Sequence, residues 1–338
     1  MFAKWVASSF LNFLIIALVG VAGYALYAKG QFTSPGPLVE DAKFEVERGA
    51  RFGSVADRLE EANIITDASL FRVAARYSGL DRALKFGNYA VPAGASMEDV
   101  LALVTSGRSI SEQVTFPEGF SSFQIVERLN AVETLDGELT ELPPEGSLAP
   151  NTYAYLDGDS RAGIIEKMQA AQIEILDAAW EARQPDLPLA NKEEALILAS
   201  IIEKETGVSS EREMVSSVFI NRLRRGMKLQ TDPTVIYGIT EGKSVLGRGL
   251  RRSELLKETA YNTYVIEGLP PTPIANPGKA SIEAALNPAE TSFLFFVADG
   301  TGGHTFSETL AEHNAAVRKW REIERQRQTE AEATEQNQ

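Results

Sequence analysis

The apolar positions along the chain follow three patterns in turn. From Trp5 to Ala28 no residue is charged, and most are large and apolar. As a helix this run would span ~36 Å at ~1.5 Å per residue, more than the ~30 Å of a bilayer core. Lys4 and Lys29 bracket it, and Trp5, Tyr24 and Tyr27 lie near its ends, where amphipathic rings favour the interface. The run is long for a cleaved signal peptide and VAGYALYAKG is a weak cleavage site, so a retained anchor over 1–30 is expected. Charge favours a cytoplasmic N-terminus only mildly. A Pro/Gly linker, QFTSPGPL, covers 31–39.

Next comes a unit that recurs three times. Val46, Val91 and Phe116 are each followed three residues later by glycine (Gly49, Gly94, Gly119). Apolar residues then stand six and ten positions past each glycine: Val55 and Leu59, Val100 and Val104, Ile125 and Leu129. An i, i+4 apolar pair is a helix face, and the glycine before it is a turn, so each unit reads as strand, turn, helix. ASLFRVAARYSGL adds a helix and LKFGNYAV a strand, which makes 40–112 a small α+β module. The third unit leads into a larger mixed α+β domain over 113–318. Residues 132–160 are loop-rich, 161–183 resume a helical period, and the polar segment 319–338 is expected to be a frayed helix and disordered tail.

Within 113–318, LILASIIEKETG (196–207) reads as a helix without internal Gly or Pro and with Gly207 as a C-terminal cap. A 3.6-residue period puts Leu198, Ile201, Ile202 and Glu205 in one sector. Glu203 points roughly opposite and, with Lys204, reads as a solvated charge. Glu205 continues the buried face, where desolvation and the helix C-terminus both raise a carboxyl pKa. Such a group can serve as a general acid or simply pair with an arginine. Downstream, Ser210-Glu211-Arg212-Glu213 fits a capping box before a helix that carries Asn221 and Arg222 toward a possible groove. Asp232 before Pro233 reads first as an N-cap. Gln230, Thr231 and Tyr237, and the loops YNTY (261–264) and GLPPTPIANPG (268–278), offer amides and rings suited to sugars. FLFFVADGTGGHTF (293–306) reads as a buried strand, a glycine turn and a second strand, with His304 as either turn residue or site residue.

Composition narrows the chemistry. The chain has 338 residues, no cysteine, two histidines and a net charge of −14. Disulfides, thiolate nucleophiles and Cys-type zinc sites are excluded, and nucleic acid is a poor partner for so acidic a chain. His304 and His313 make a poor metal pair, so catalysis should rest on carboxylates, with no metal and no cofactor.

The ordered series ASIIEKET, SVFINRLRRGMKLQTDPTVIYG, AYNTY, GLPP, NPG, FFVADGTGGHTF and HN, through residues 196–314, resembles the endolytic murein transglycosylase, or YceG-like, family. The resemblance implies an N-terminal membrane helix, a LysM-like module at 40–112 and a catalytic domain at 113–318. It also implies cleavage of peptidoglycan glycan strands within the chain to leave 1,6-anhydro-N-acetylmuramic acid ends. The implied setting is the periplasmic side of the inner membrane, where such enzymes end nascent strands beside the cell-wall synthesis machinery. The family's catalytic glutamate is the second acid of the EKE motif, here Glu205. Gln230, Asp232, Tyr237, Tyr261, Asn262 and His304 would contact substrate. The segment Glu145–Tyr153 departs from the family pattern at two aromatic positions and at an aspartate, now Asn151. Three rivals follow: a hydrolase with Asp232 or Glu203 as base, a non-catalytic peptidoglycan-binding scaffold, and a pyridoxal-phosphate lyase. The last needs a buried lysine, and Lys204 points away from the expected core.

Overall fold

The apolar N-terminal run folds as one helix, α1 (Phe2–Thr33), in a computed structural model that describes residues 2–335. Its segment Leu11–Thr33 has a mean hydropathy of 2.0 and is long enough to cross a membrane. The helix runs into the segment expected as a linker, because nothing breaks it before Pro35. At its end the Ser34 hydroxyl donates to the Gly30 carbonyl at 2.6 Å.

The mixed α+β chain, α1 included, divides into two units, Met1–Glu112 with Ala154–Gly158, and Gln113–Tyr153 with Asp159–Gln338. In the first, β1 (Ala42–Val46), α2 (Phe52–Glu61), α3 (Ala68–Tyr77), β2 (Gly87–Val91) and α4 (Met97–Ser106) follow in order. The strands pair antiparallel with Phe44 opposite Tyr89. Both rings are buried with Phe71 and with Val46, Val55, Leu59, Val91, Val100 and Val104, the last six being the apolar positions that the first two repeats assign to strands and helix faces. Gly49 and Gly94 have φ of +80° and +70°, the left-handed turn each repeat requires. Ser96 and Asp99 form a reciprocal capping box at the start of α4. Ser96→Ala should cost about 1 kcal/mol, read as a lower midpoint in chemical denaturation; an unchanged midpoint would show the cap to be idle.

Strands β3 (Glu112–Thr115) and β4 (Thr152–Tyr155) each have residues in both units, and the second unit contains α5 (Ser122–Asn130), α6 (Arg161–Glu181), α7 (Lys192–Glu205) and α8 (Arg212–Arg224). Then come α9 (Asp232–Thr240), α10 (Arg252–Leu255), α11 (Lys279–Leu286), β5 (Phe295–Ala298), β6 (His304–Ser307) and α12 (Leu310–Glu335). The third repeat is present here: Gly119 has φ +77° just before α5. Helix α7 is the centre of the core, where Leu198, Ile201 and Ile202 pack with Phe219 of α8 and with Ile282 and Ala285 of α11. Gly146 is the tight spot of the Glu145–Tyr153 loop. Its φ is +82°, and a Cβ there would lie 2.7 Å from the Pro273 ring.

Several local expectations change. The segment after 318, expected as a frayed helix and disordered tail, is helical as far as Glu335 in α12; residues 336–338 lie outside the described residues. Its sequence is rich in Glu, Gln, Arg and Ala, all good helix formers. Helix α12 also lies on the β5–β6 hairpin, where Arg327 donates to the Gly300 carbonyl and Ile323 packs at the turn. Strand β5 is half-buried rather than buried. No capping box starts α8; a 3-10 turn, Ser209–Glu211, precedes it, and Glu211 is engaged elsewhere. Helix α7 ends at Glu205 with Thr206 extended (φ −137°), so Gly207 does not cap it.

Candidate active site

Glu205 is the last residue of α7, on the face that carries Leu198, Ile201 and Ile202 into the core. Its carboxyl opens on a pocket of about 360 Å³. Phe219, Phe295 and Phe296 form the apolar wall; Arg222, Gln230, Asp232, Tyr264 and His313 supply polar groups. Glu205 as a whole is half-buried, since one side faces the pocket, but protein crowds its carboxyl elsewhere. Burial therefore pushes its pKa up, and the charge of Asp232 pushes the same way. The Thr231 hydroxyl, His304 and Arg222 pull it back, without reversing the direction. A carboxyl raised in this way can hold its proton where an ordinary glutamate has lost it.

The loop before α9 sets the geometry. Thr231 donates its hydroxyl to Glu205 Oε1. Its own N–H donates to Thr263 Oγ1 at 3.0 Å, and the Thr234 and Thr263 hydroxyls meet at 2.9 Å. This cluster is fully buried. Gln230 sits at φ +48°, a left-handed conformation that a non-glycine residue adopts only when its surroundings hold it. Its N–H donates to the Thr263 carbonyl at 3.1 Å. Thr231→Val removes a donor that favours the Glu205 carboxylate. The Glu205 pKa should rise further and the alkaline limb of the rate profile should move to higher pH; a limb that stays put would deny Thr231 this role.

Asp232 is not an N-cap. It is the first helical residue of α9, with Thr231 in the cap position, and its Oδ1 accepts the Tyr264 hydroxyl at 2.6 Å. Glu203 also needs correction. Its side chain is only 7% exposed, because the start of α11 and the Gly119 turn cover the face of α7 opposite the core. Glu203 Oε2 accepts the N–H of Gly278, the N-cap of α11, at 3.0 Å. Arg212 lies within 3.9 Å of it. Glu203 is thus a structural anion at a helix N-terminus, whereas Lys204 is exposed as expected.

The remaining candidates divide. Gln230 and Asp232 line the pocket with Glu205; Tyr237, Tyr261, Asn262 and His304 stand outside its lining. Tyr237 donates to Glu145 Oε2 at 3.2 Å and packs on the Tyr261 ring. Asn262 was expected at a sugar, but it is buried and its amide donates to the carbonyls of Glu254, Leu255 and Lys257, so it ties a loop. His304 is held by Glu211, which accepts its backbone N–H at 2.9 Å and lies 2.7 Å from its Nδ1.

Arg222, read as facing a possible groove, and Tyr264, in the YNTY loop offered for sugars, do line the pocket. His313, considered only as half of a poor metal pair, lines it too, and no local pattern marked it. Glu145 was missed altogether. Half-buried, with its pKa pushed up by desolvation, it joins Ser122, Asn276 and Tyr237 in one hydrogen-bonded knot. Among the described residues no group of His, Asp and Glu could hold a metal ion.

A family model described as the YceG-like family matches residues 44–319. The endolytic murein transglycosylase of Bacillus subtilis is 30% identical, over 89% of this chain and 91% of that protein. The protein of the same name from Streptococcus pneumoniae D39 is 27% identical over 88% of this chain, which spans 62% of that longer relative. The crystal structure of a YceG-like protein from Listeria monocytogenes superposes with a TM-score of 0.50 at 30% identity, covering 82% of this chain and 99% of that one.

Proposed function

The chain belongs to the YceG-like family, and on that premise we propose that it is an endolytic murein transglycosylase with Glu205 as its general acid. The observation that carries the reading is a single carboxyl at the end of a core helix, facing a pocket, with its pKa raised by burial. Protonated Glu205 gives its proton to the glycosidic oxygen between N-acetylmuramic acid and the next N-acetylglucosamine. The bond to C1 breaks through an oxocarbenium-like transition state. The sugar's own C6 hydroxyl then closes on C1 and passes its proton to the Glu205 carboxylate. A 1,6-anhydro end forms, the acid is regenerated and no water is consumed, so one acid suffices where hydrolases need two carboxyls.

The other units take their roles from this substrate. Helix α1 anchors the chain in the cytoplasmic membrane, with the pocket on the periplasmic side where strands are made. The β-α-α-β order of β1, α2, α3 and β2 supports a LysM-like peptidoglycan-binding module. Cutting nascent strands near the membrane would end their polymerisation.

Asp232 in the same pocket is the specific observation that favours a hydrolase as the alternative. Product mass separates the two. Murein strands digested by the detergent-solubilised full chain should yield fragments lighter by one water than hydrolysis products. Hydrated reducing ends would overturn the transglycosylase reading, and intact strands would favour a binding scaffold.

A further inference from the structure

The pocket holds a second carboxyl whose setting differs from that of Glu205. Asp232 begins α9 and stands exposed at the mouth, where the positive end of the helix dipole favours an anion. Its Oδ1 takes the Tyr264 hydroxyl at 2.6 Å; no side chain or backbone group among the described residues donates to Oδ2. Tyr264 is itself fixed, because its N–H donates to Asn262 Oδ1 at 3.0 Å and the Asn262 amide is spent on three carbonyls of the preceding loop. The phenol therefore leaves Asp232 little freedom to swing. Glu205 and Asp232 sit on either side of Thr231, whose hydroxyl binds the first and whose successor in the chain is the second. The two acids are thus fixed on either side of one buried threonine.

The geometry points to Asp232 as a second catalytic group of the proposed reaction: an anion, clamped by Tyr264 as a positioning residue, that carries the positive charge developing at C1 and the ring oxygen. This inference rests on the transglycosylase reading above and assigns Asp232 no bond to sugar or water. The nucleophile remains the C6 hydroxyl, so the carboxylate acts through its field, which strengthens once bound glycan displaces water from the pocket mouth. Its charge also acts on Glu205, helping that carboxyl keep the proton it must donate. One acid held neutral and one anion held in place is the division of labour by which two carboxyls share a glycosidic site.

The test compares wild type, Asp232→Asn and Tyr264→Phe as full chains in detergent, with murein strands as substrate. Rates are taken across pH and product masses are read in each case. Asp232→Asn should lower kcat by roughly a hundredfold with little change in KM. Its products should still carry anhydro ends. The alkaline limb should move to lower pH, because Glu205 loses the neighbouring charge that raises its pKa. A purely structural role would not shift that limb. Tyr264→Phe keeps the charge, so its limb should stay in place while kcat falls by about tenfold. Wild-type rates and an unmoved limb in Asp232→Asn overturn the inference and leave the transglycosylase reading intact. Should Asp232→Asn fail to fold by its melting curve, full activity in Tyr264→Phe would overturn it instead. Hydrated products from wild type would sink both, since Asp232 would then serve as a base for water.

Discussion

Glu205→Gln is expected to stop glycan cleavage without unfolding the protein. Glutamine matches the shape of the acid, and its Oε1 can still accept the Thr231 hydroxyl that now binds Glu205. What it lacks is the proton to give. Loss of a general acid costs up to about 10⁴-fold in rate, so murein strands incubated with the variant should stay near full length where wild type shortens them. Equal digestion by the two would remove Glu205 from the mechanism. The loss should appear in kcat, because the rest of the pocket lining is untouched.

The same substitution has a second readout, in stability. Burial raises the Glu205 pKa in the folded chain above its unfolded value, so the native state holds the proton to higher pH. For an acid shifted upward, stability is full below the unfolded pKa, near about 4.3 for glutamate. It is lost as pH rises through the folded value. At neutral pH wild type has therefore lost stability that it holds at low pH, because its unfolded chain ionises the carboxyl more readily than its folded one. Glu205→Gln does not titrate and should melt a few degrees higher at neutral pH, roughly 2–4 °C for each kcal/mol relieved. At pH 4 the gap should close. Thermal melts at both pH values check the sign, and a variant less stable than wild type at neutral pH would contradict the desolvation argument.

That Glu205 could be chosen from sequence at all reflects where it sits. A helix buried on one face announces its period, and a carboxylate on the buried face stands out against Leu198, Ile201 and Ile202. The three strand-turn-helix units were legible for a similar local reason, since Gly49, Gly94 and Gly119 all adopt the left-handed turn their spacing implies. The errors came where distant segments meet. Glu203 projects away from the α7 core, yet the N-terminus of α11 closes over it, and no local pattern encodes that contact. Asp232 before proline looked like a cap because its partner, Tyr264, lies a long loop away. Arg222 and Thr231 were candidates for a groove and for sugar contact, but the β5–β6 hairpin and the Thr263 loop bury them and their hydrogen bonds go to protein groups. Periodicity thus placed Glu205 on the buried face, while the groups around its carboxyl depend on tertiary packing.

Arg222→Met should damage both fold and activity, because Arg222 joins the pocket's separate pieces. From α8 its Nε donates to the Leu294 carbonyl at 2.7 Å, and its Nη1 to the carbonyls of Leu229 at 2.7 Å and Lys228 at 3.3 Å. One guanidinium therefore ties the start of the β5 hairpin to the loop that presents Gln230 and Thr231, and its plane also approaches the Phe295 ring at 5.3 Å. Methionine fills the space but leaves the buried Leu229 and Leu294 carbonyls without donors. Unsatisfied buried acceptors of this kind cost about 1–3 kcal/mol each, so a loss near 3 kcal/mol and a melting temperature lower by roughly 10 °C are expected. Cleavage should fall on the order of a hundredfold as the Thr231 loop loosens around Glu205. The residual activity carries a signature. Arg222 draws the Glu205 pKa down, so its removal should move the alkaline limb to higher pH, opposite to the shift expected for Asp232→Asn. Arg222→Lys should not rescue, since an ammonium cannot span the two carbonyl positions that the planar fork reaches. An Arg222→Met chain that melts and cuts like wild type would show that the hairpin and the loop are held by other contacts.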